Sequence, residues 1–179
     1  ISQSEKIRVA VITDDPDAEL GTSRFFLQRA LEPFQDKADR FEATTFSPQL
    51  APAKLSISSF QIACVGYVSS WSEASAMALV QFVQNGGHVV YLCGEGDVQS
   101  CLQTIDSVAD DDFFPLQLDG LERFDQFEDY PFVDSGKWSS PWLRDFDIQS
   151  QVSLQRIRFQ KLWRVRKTLD DAEVLLKFS

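Results

Sequence analysis

Between Ile7 and Gly94, four short apolar runs alternate with stretches of helical spacing, and that alternation leaves few folds open. Ile7–Thr13 is β-branched and apolar and empties into Asp14-Asp15-Pro16, as a buried strand does where it ends in a loop. Thr22 or Ser23 can cap the helix that follows. Phe26, Leu27, Ala30 and Leu31 recur there at helical spacing until Pro33 stops it. Phe41–Phe46 reads as a second strand, and Ser47-Pro48 and Ala51-Pro52 punctuate the connection after it. Phe60–Tyr67 is the third strand. Ser70-Trp71-Ser72-Glu73 fits a capping box with Ser70 at the cap. The helix behind it is expected to turn Ala74, Met77, Ala78, Val80 and Val83 inward and to stop at Asn85-Gly86-Gly87, a left-handed cap. His88–Gly94 completes the set as a fourth strand.

Strands that alternate with helices pair in parallel through right-handed crossovers. The pattern therefore predicts a three-layer α/β sandwich with a mainly parallel sheet, of the flavodoxin-like kind. The loops after the first, third and fourth strands should meet at the C-terminal edge of that sheet, where such folds place their ligands. That edge would offer Asp14, Asp15, Ser69, Ser70, Cys93 and Glu95 as candidate ligand-binding residues.

Composition changes after Ile105. From Asp106 to Asp147 there are 12 acidic residues against three basic ones, and nine of the chain's 22 aromatics fall between Phe113 and Phe146. Acidic disordered segments are poor in aromatics, so residues 106–150 should form a packed, loop-rich region covering part of the sheet. From Gln151 to Lys167 the sign reverses: six cations and no acid. Ile157, Phe159, Trp163 and Val165 share one parity there, and Arg156, Arg158, Arg164 and Arg166 the other. That spacing predicts a half-buried strand with a basic face, although Leu154, Ile157, Leu162 and Val165 would also suit a helix. The apolar face is expected to bury against the sheet or the aromatics around Phe113, Phe114 and Trp142, and the basic face to meet the acidic stretch or solvent. Val174–Phe178 reads as a last strand.

The 179 residues, 44% hydrophobic and 25% charged, suit one domain with a real core: residues 1–105 as its α/β centre, then the acidic aromatic region and C-terminal strands over 151–179. A net charge of −10 argues against general nucleic-acid binding, which needs a positive surface. No apolar run approaches the roughly 20 residues that span a bilayer, so this segment is not expected to insert into a membrane. Three cysteines without a CxxC spacing fit neither a disulfide framework nor a zinc site. Neither a metal nor another cofactor is expected. The polar start, Ile1 to Lys6, and the absence of an initiator Met suggest a piece of a longer protein.

Several stretches carry a resemblance. Ala78-Leu79-Val80-Gln81-Phe82-Val83-Gln84-Asn85-Gly86-Gly87, followed by Leu92-Cys93-Gly94, resembles the "AL..FV..GG.....LG" stretch of class I glutamine amidotransferase-like domains. The similarity is to the divergent group fused to von Willebrand A and aerotolerance-type membrane proteins in bacteria. Phe113-Phe114-Pro115-Leu116 is similar to that group's "LLP" turn, and Ser140-Pro141-Trp142-Leu143 to Phe146 to its "HPLL..F" element, without the His. The resemblance implies a bacterial protein in which this domain serves other domains of the same chain or a protein partner. It also implies tethering to a membrane through segments outside this chain.

It places Cys93 at or near the family's nucleophile, and the chemistry can be tested against the residues present. A cysteine hydrolase needs a nearby His to activate the thiolate. The one His, His88, lies five residues away on the same strand, about 16 Å at ~3.3 Å per residue. Tyr91 and Glu95 crowd the turn where small residues are required, and Val68-Ser69-Ser70 replaces the Gly-Gly oxyanion loop. No catalytic residue is therefore assigned. Cys93 is expected to be a buried strand-end thiol. Asp14-Asp15 lacks the third-strand Asp of a receiver's magnesium site, Asp15-Pro16-Asp17 lacks the continuation of a dehalogenase motif, and the two acids in Gly94-Glu95-Gly96-Asp97 oppose an anion cradle. The expectation is a non-catalytic domain with a binding or assembly role. The alternatives are a hydrolase using Cys93 or Glu95, and a sugar or nucleotide binder at the sheet's C-terminal edge.

Overall fold

A computed structural model describes residues 6–16, 20–33, 40–94, 96–109 and 113–179. The chain divides into two compact units, Ile1–Phe114 and Pro115–Ser179. Positions 1–5, 17–19, 34–39, 95 and 110–112, the candidate Glu95 among them, lie outside the described residues.

The first unit is built on four parallel strands flanked by helices. In chain order they are β1 (Ile7–Ile12), α1 (Ser23–Leu31), β2 (Phe41–Phe46), α2 (Ala51–Lys54), β3 (Ile62–Val65), α3 (Glu73–Gln84), β4 (His88–Tyr91) and α4 (Val98–Val108). The sheet order is β2-β1-β3-β4, so β1 is interior and pairs on both sides, Val11 opposite Thr45 and Cys64. An interior parallel strand is covered on both faces, which is why Val9, Ala10, Val11 and Ile12 can all be apolar and fully buried. At ~1.5–3 kcal/mol per large side chain buried, these four positions anchor the unit. Val9 and Val11 meet Leu27 of α1 on one face. Ala10 and Ile12 share the other face with Leu79, Val80, Phe82 and Ile105 from α3 and α4.

Several expectations change in detail. β3 and β4 are shorter than Phe60–Tyr67 and His88–Gly94, because the sheet ladder ends where the loops at its edges begin. Ser72, not Ser70, caps α3, its side chain accepting from the Ser75 amide. The buried stripe of α3 is Ala76, Leu79 and Val80, with Val83 half-buried behind it, an i, i+3, i+4, i+7 set. Ala74, expected inside, is exposed. Of the two candidate caps, Thr22 takes the position, through the Phe25 amide, and Ser23 opens α1; that helix turns only Leu27 fully inward and leaves Phe26 61% exposed. The Asn85-Gly86-Gly87 stop is a complete Schellman motif: the Gly86 amide donates to Val83 O (2.8 Å) and the Gly87 amide to Phe82 O (2.9 Å). Gly86 takes φ +95°, where a side chain is strained.

The second unit holds antiparallel pairs only. Its elements are β5 (Leu116–Arg123), β6 (Val133–Gly136), α5 (Ile148–Gln155), β7 (Lys161–Thr168) and β8 (Leu176–Phe178). β5 pairs β7, and β6 pairs β8. The acidic aromatic stretch is thus more regular than a loop-rich cover: α4 runs into it and two strands form within it. The basic strand begins only at Lys161, because residues 156–157 finish the turn of α5, with amides donating to Ser153 O and Leu154 O. Ile157 and Val165 stay exposed, so no buried apolar face runs from 157 to 165. Phe113 and Phe114 stack edge-on with each other and Phe114 with Tyr91, at 5.0 and 5.3 Å between centroids, while Trp142 is exposed. The strand expected at Val174–Phe178 is β8. β7 does find a partner in the acidic stretch: Glu122 of β5 accepts from Arg164 at 3.0 Å, an exposed pair.

A Cβ at Gly87 would land on the ring of Phe82, which is almost fully buried. Gly87→Ala is expected to lower stability by about 1–3 kcal/mol through overpacking, read as a lower urea midpoint with an unchanged slope.

Candidate functional site

β1 sends the chain towards β2 on one side and pairs with β3 on the other, so the gap between the C-terminal ends of β1 and β3 is the sheet's switch point. Four of the six candidate residues lie on its two loops. Asp14 and Ser69 are brought together: the Ser69 amide and hydroxyl both donate to the Asp14 carboxylate, at 2.9 and 2.7 Å. Asp15 turns to α1, where its carboxylate accepts from the Ser23 hydroxyl and, at 3.0 Å, from the Arg24 amide. A helix N-terminus attracts an anion through its unpaired amides and its dipole. Here the chain supplies that anion itself. Ser70 is exposed on the same loop.

Three further residues, Thr13, Ser23 and Tyr67, complete the arrangement. The buried Thr13 hydroxyl donates to Tyr67 O (2.9 Å) and accepts from the Asp15 amide (3.1 Å). The Ser23 hydroxyl, besides donating to Asp15, accepts from the Tyr67 amide at 2.8 Å. The Asp14 amide donates to Tyr67 O at 2.8 Å. Gly66 makes this approach possible, since a Cβ there would overlap the Ser23 hydroxyl. A glycine directly after a strand was the signal available in the sequence; that it faces Ser23 and Thr13 is seen only in the folded chain. Among the described residues no cluster of three His, Cys, Asp or Glu is arranged to hold a metal ion.

Cys93 sits apart from this network. It lies two residues beyond β4 and is exposed, not the buried strand-end thiol expected, because β4 stops at Tyr91. Desolvation by neighbouring atoms still pushes its thiol up, so it is neutral at pH 7 and a weak nucleophile. His88 opens β4 at the N-terminal end, the wrong end of the strand for a base serving Cys93. Burial also pushes up the Cys64 and Cys101 thiols and the Tyr91 hydroxyl. Cys101 donates to Val68 O within the core. The start of α4 is closed like that of α1: the Asp97 side chain caps it, and the Ser100 hydroxyl and amide hold that carboxyl below its ordinary range.

Comparison of the chain with protein-family models, curated proteins and solved structures finds no match.

Asp15→Ala removes two charge-assisted hydrogen bonds and the carboxylate at the α1 N-terminus. It is expected to cost about 1–3 kcal/mol, the range for a lost cap and an orphaned buried donor, measured by chemical denaturation. Thiol titration with a chromogenic disulfide should label one cysteine, Cys93, in the native protein and three after unfolding. Because its thiol is pushed up, the native labelling rate should still be climbing above pH ~8.5, the ordinary thiol value. A rate already level at pH 7 would contradict the assignment.

Proposed function

We propose that this chain is a non-catalytic domain of the class I glutamine amidotransferase-like type, with a binding or assembly role in a larger bacterial protein. One observation carries the reading. The edge at which such a sheet would hold a ligand is closed by the chain's own hydrogen bonds, with Asp14 committed to Ser69 and Asp15 to α1. A ligand entering there would have to break these contacts, which are worth about 1.5–3 kcal/mol each when a charged group takes part. The position after β4 supports the same reading. Nucleophilic attack there would need a base beside Cys93, and His88 stands at the far end of the strand. With its ligand edge occupied, such a domain acts through its outer surfaces.

Incubation with glutamine, with ammonia release as the readout, is expected to give no turnover above a Cys93→Ala control. Cysteine-dependent release would reverse the proposal. A thermal-shift screen with sugars and nucleotides is expected to leave the melting temperature in place. A saturable rise abolished by Asp14→Asn would favour ligand binding at the sheet edge instead.

A further inference from the structure

We infer that β4 is a dimerisation strand: two copies of this chain pair edge to edge, antiparallel, about a two-fold axis at Val90. The inference goes beyond the proposed role and would hold equally for an enzyme. β4 closes one side of the sheet, and among the described residues no strand pairs with its outer edge. The His88 amide donates to Gln61 O and the Leu92 amide to Val65 O, at 3.1 and 2.9 Å. Alternation along the strand therefore turns the amides and carbonyls of Val89 and Tyr91 outward. The side chains of the other parity lie on a bare face. Val90 stands opposite Cys64, a buried member of the cluster beneath α1, yet is itself 47% exposed, and His88 and Leu92 beside it are exposed too. The cover that α1 gives this face ends at β3.

The opposite edge of the sheet is protected. The outward amide of Ala43 in β2 donates to the Glu32 carboxylate at 2.8 Å, and Glu42 stands exposed on the same strand. Charges on an edge and occupied amides oppose the addition of another strand. β4 has neither device: from Ala74 to Gly94 the chain holds no Asp, Glu, Lys or Arg. In a chain of net charge −10 that neutral stretch selects the partner. It offers nothing to hold a charged peptide, and it is the part of an acidic chain that a second copy can approach without repulsion. The pleat also matches the strand to itself. With the axis at Val90, Val89 and Tyr91 of each copy exchange hydrogen bonds with Tyr91 and Val89 of the other. On the bare face Val90 then meets its own counterpart in a close non-hydrogen-bonded pair, and His88 meets Leu92. Such a two-fold contact uses one patch twice and leaves only the protected β2 edges at the ends of the joined sheet.

The test is sedimentation equilibrium of the whole chain under reducing conditions, which keep the exposed Cys93 from forming a disulfide. The mass is expected to rise with concentration from 20.3 kDa towards twice that value. Val90→Lys and Val90→Glu, at an exposed position, should each raise the dissociation constant about tenfold or more, because like charges meet on the axis. Mixed in equal amounts, the two variants should dimerise again, since opposite charges then face each other. Only a contact between two copies with Val90 on the axis gives that rescue. Glu42→Ala, on the opposite edge, should leave the equilibrium unchanged. A single species of 20.3 kDa up to roughly 1 mM would overturn the inference. So would charged variants that dimerise as the wild type does, or that stay monomeric when mixed. A monomeric chain that instead takes up a neutral, valine-rich peptide would also overturn it and assign the edge to a strand of another protein.

Discussion

The hydrogen bonds that tie Thr13, Asp15, Ser23 and Tyr67 together are the constraint on which the first unit depends. They connect the end of β1, the start of α1 and the loop after β3, segments up to 54 residues apart in sequence. In a partly buried setting of low effective dielectric, such a network is strong when complete and costly when broken. Completeness here rests on Gly66, which has no side chain to hold Ser23 away from the Tyr67 backbone. Because β1 is interior to the sheet, fixing its end fixes the direction in which both neighbouring crossovers leave.

The same network decides what the sheet edge can do. Folds of this kind bind anionic ligands by leaving a helix N-terminus open behind a glycine-rich turn. In this chain carboxylates take those positions: Asp15 at α1, Asp97 at α4 and, in the second unit, Asp147 at α5. Each satisfies amides that a phosphate would otherwise seek, and each would repel that phosphate. The acidity of the chain is therefore partly structural.

The two units divide the charge unequally. Nearly all of the net −10 belongs to residues 1–114, and the cationic run belongs to the second unit. Where the run pairs, as Arg164 does with Glu122 across β5 and β7, the pair is exposed and screened by solvent, so it favours a register without holding the ribbon. In that ladder Leu121 lies opposite Trp163 and Leu118 opposite Val165.

The four parallel strands, their order along the chain, a hydroxyl cap at Thr22 or Ser23, the stop at Asn85-Gly86-Gly87 and the meeting of the loops that carry Asp14 and Ser69 were legible in the sequence. Each follows from short-range rules: β-branched runs, a hydroxyl before a helix, a glycine where φ must be positive. Only tertiary structure decided which stripe of α3 is buried, since Ala74 and Ala76 are equally apolar and the choice depends on what α3 packs against. The same holds for residues 156–167, where period-two spacing competes with helical spacing. The chain spends Arg156 and Ile157 on the turn of α5 and begins the strand at Lys161, opposite Arg123 of β5. Asp15 is the sharpest case. Its position after a strand marks it as an edge residue, but whether its carboxylate faces a ligand or its own helix depends on where Ser23 stands in space. That is set by packing across the sheet, which no local pattern encodes.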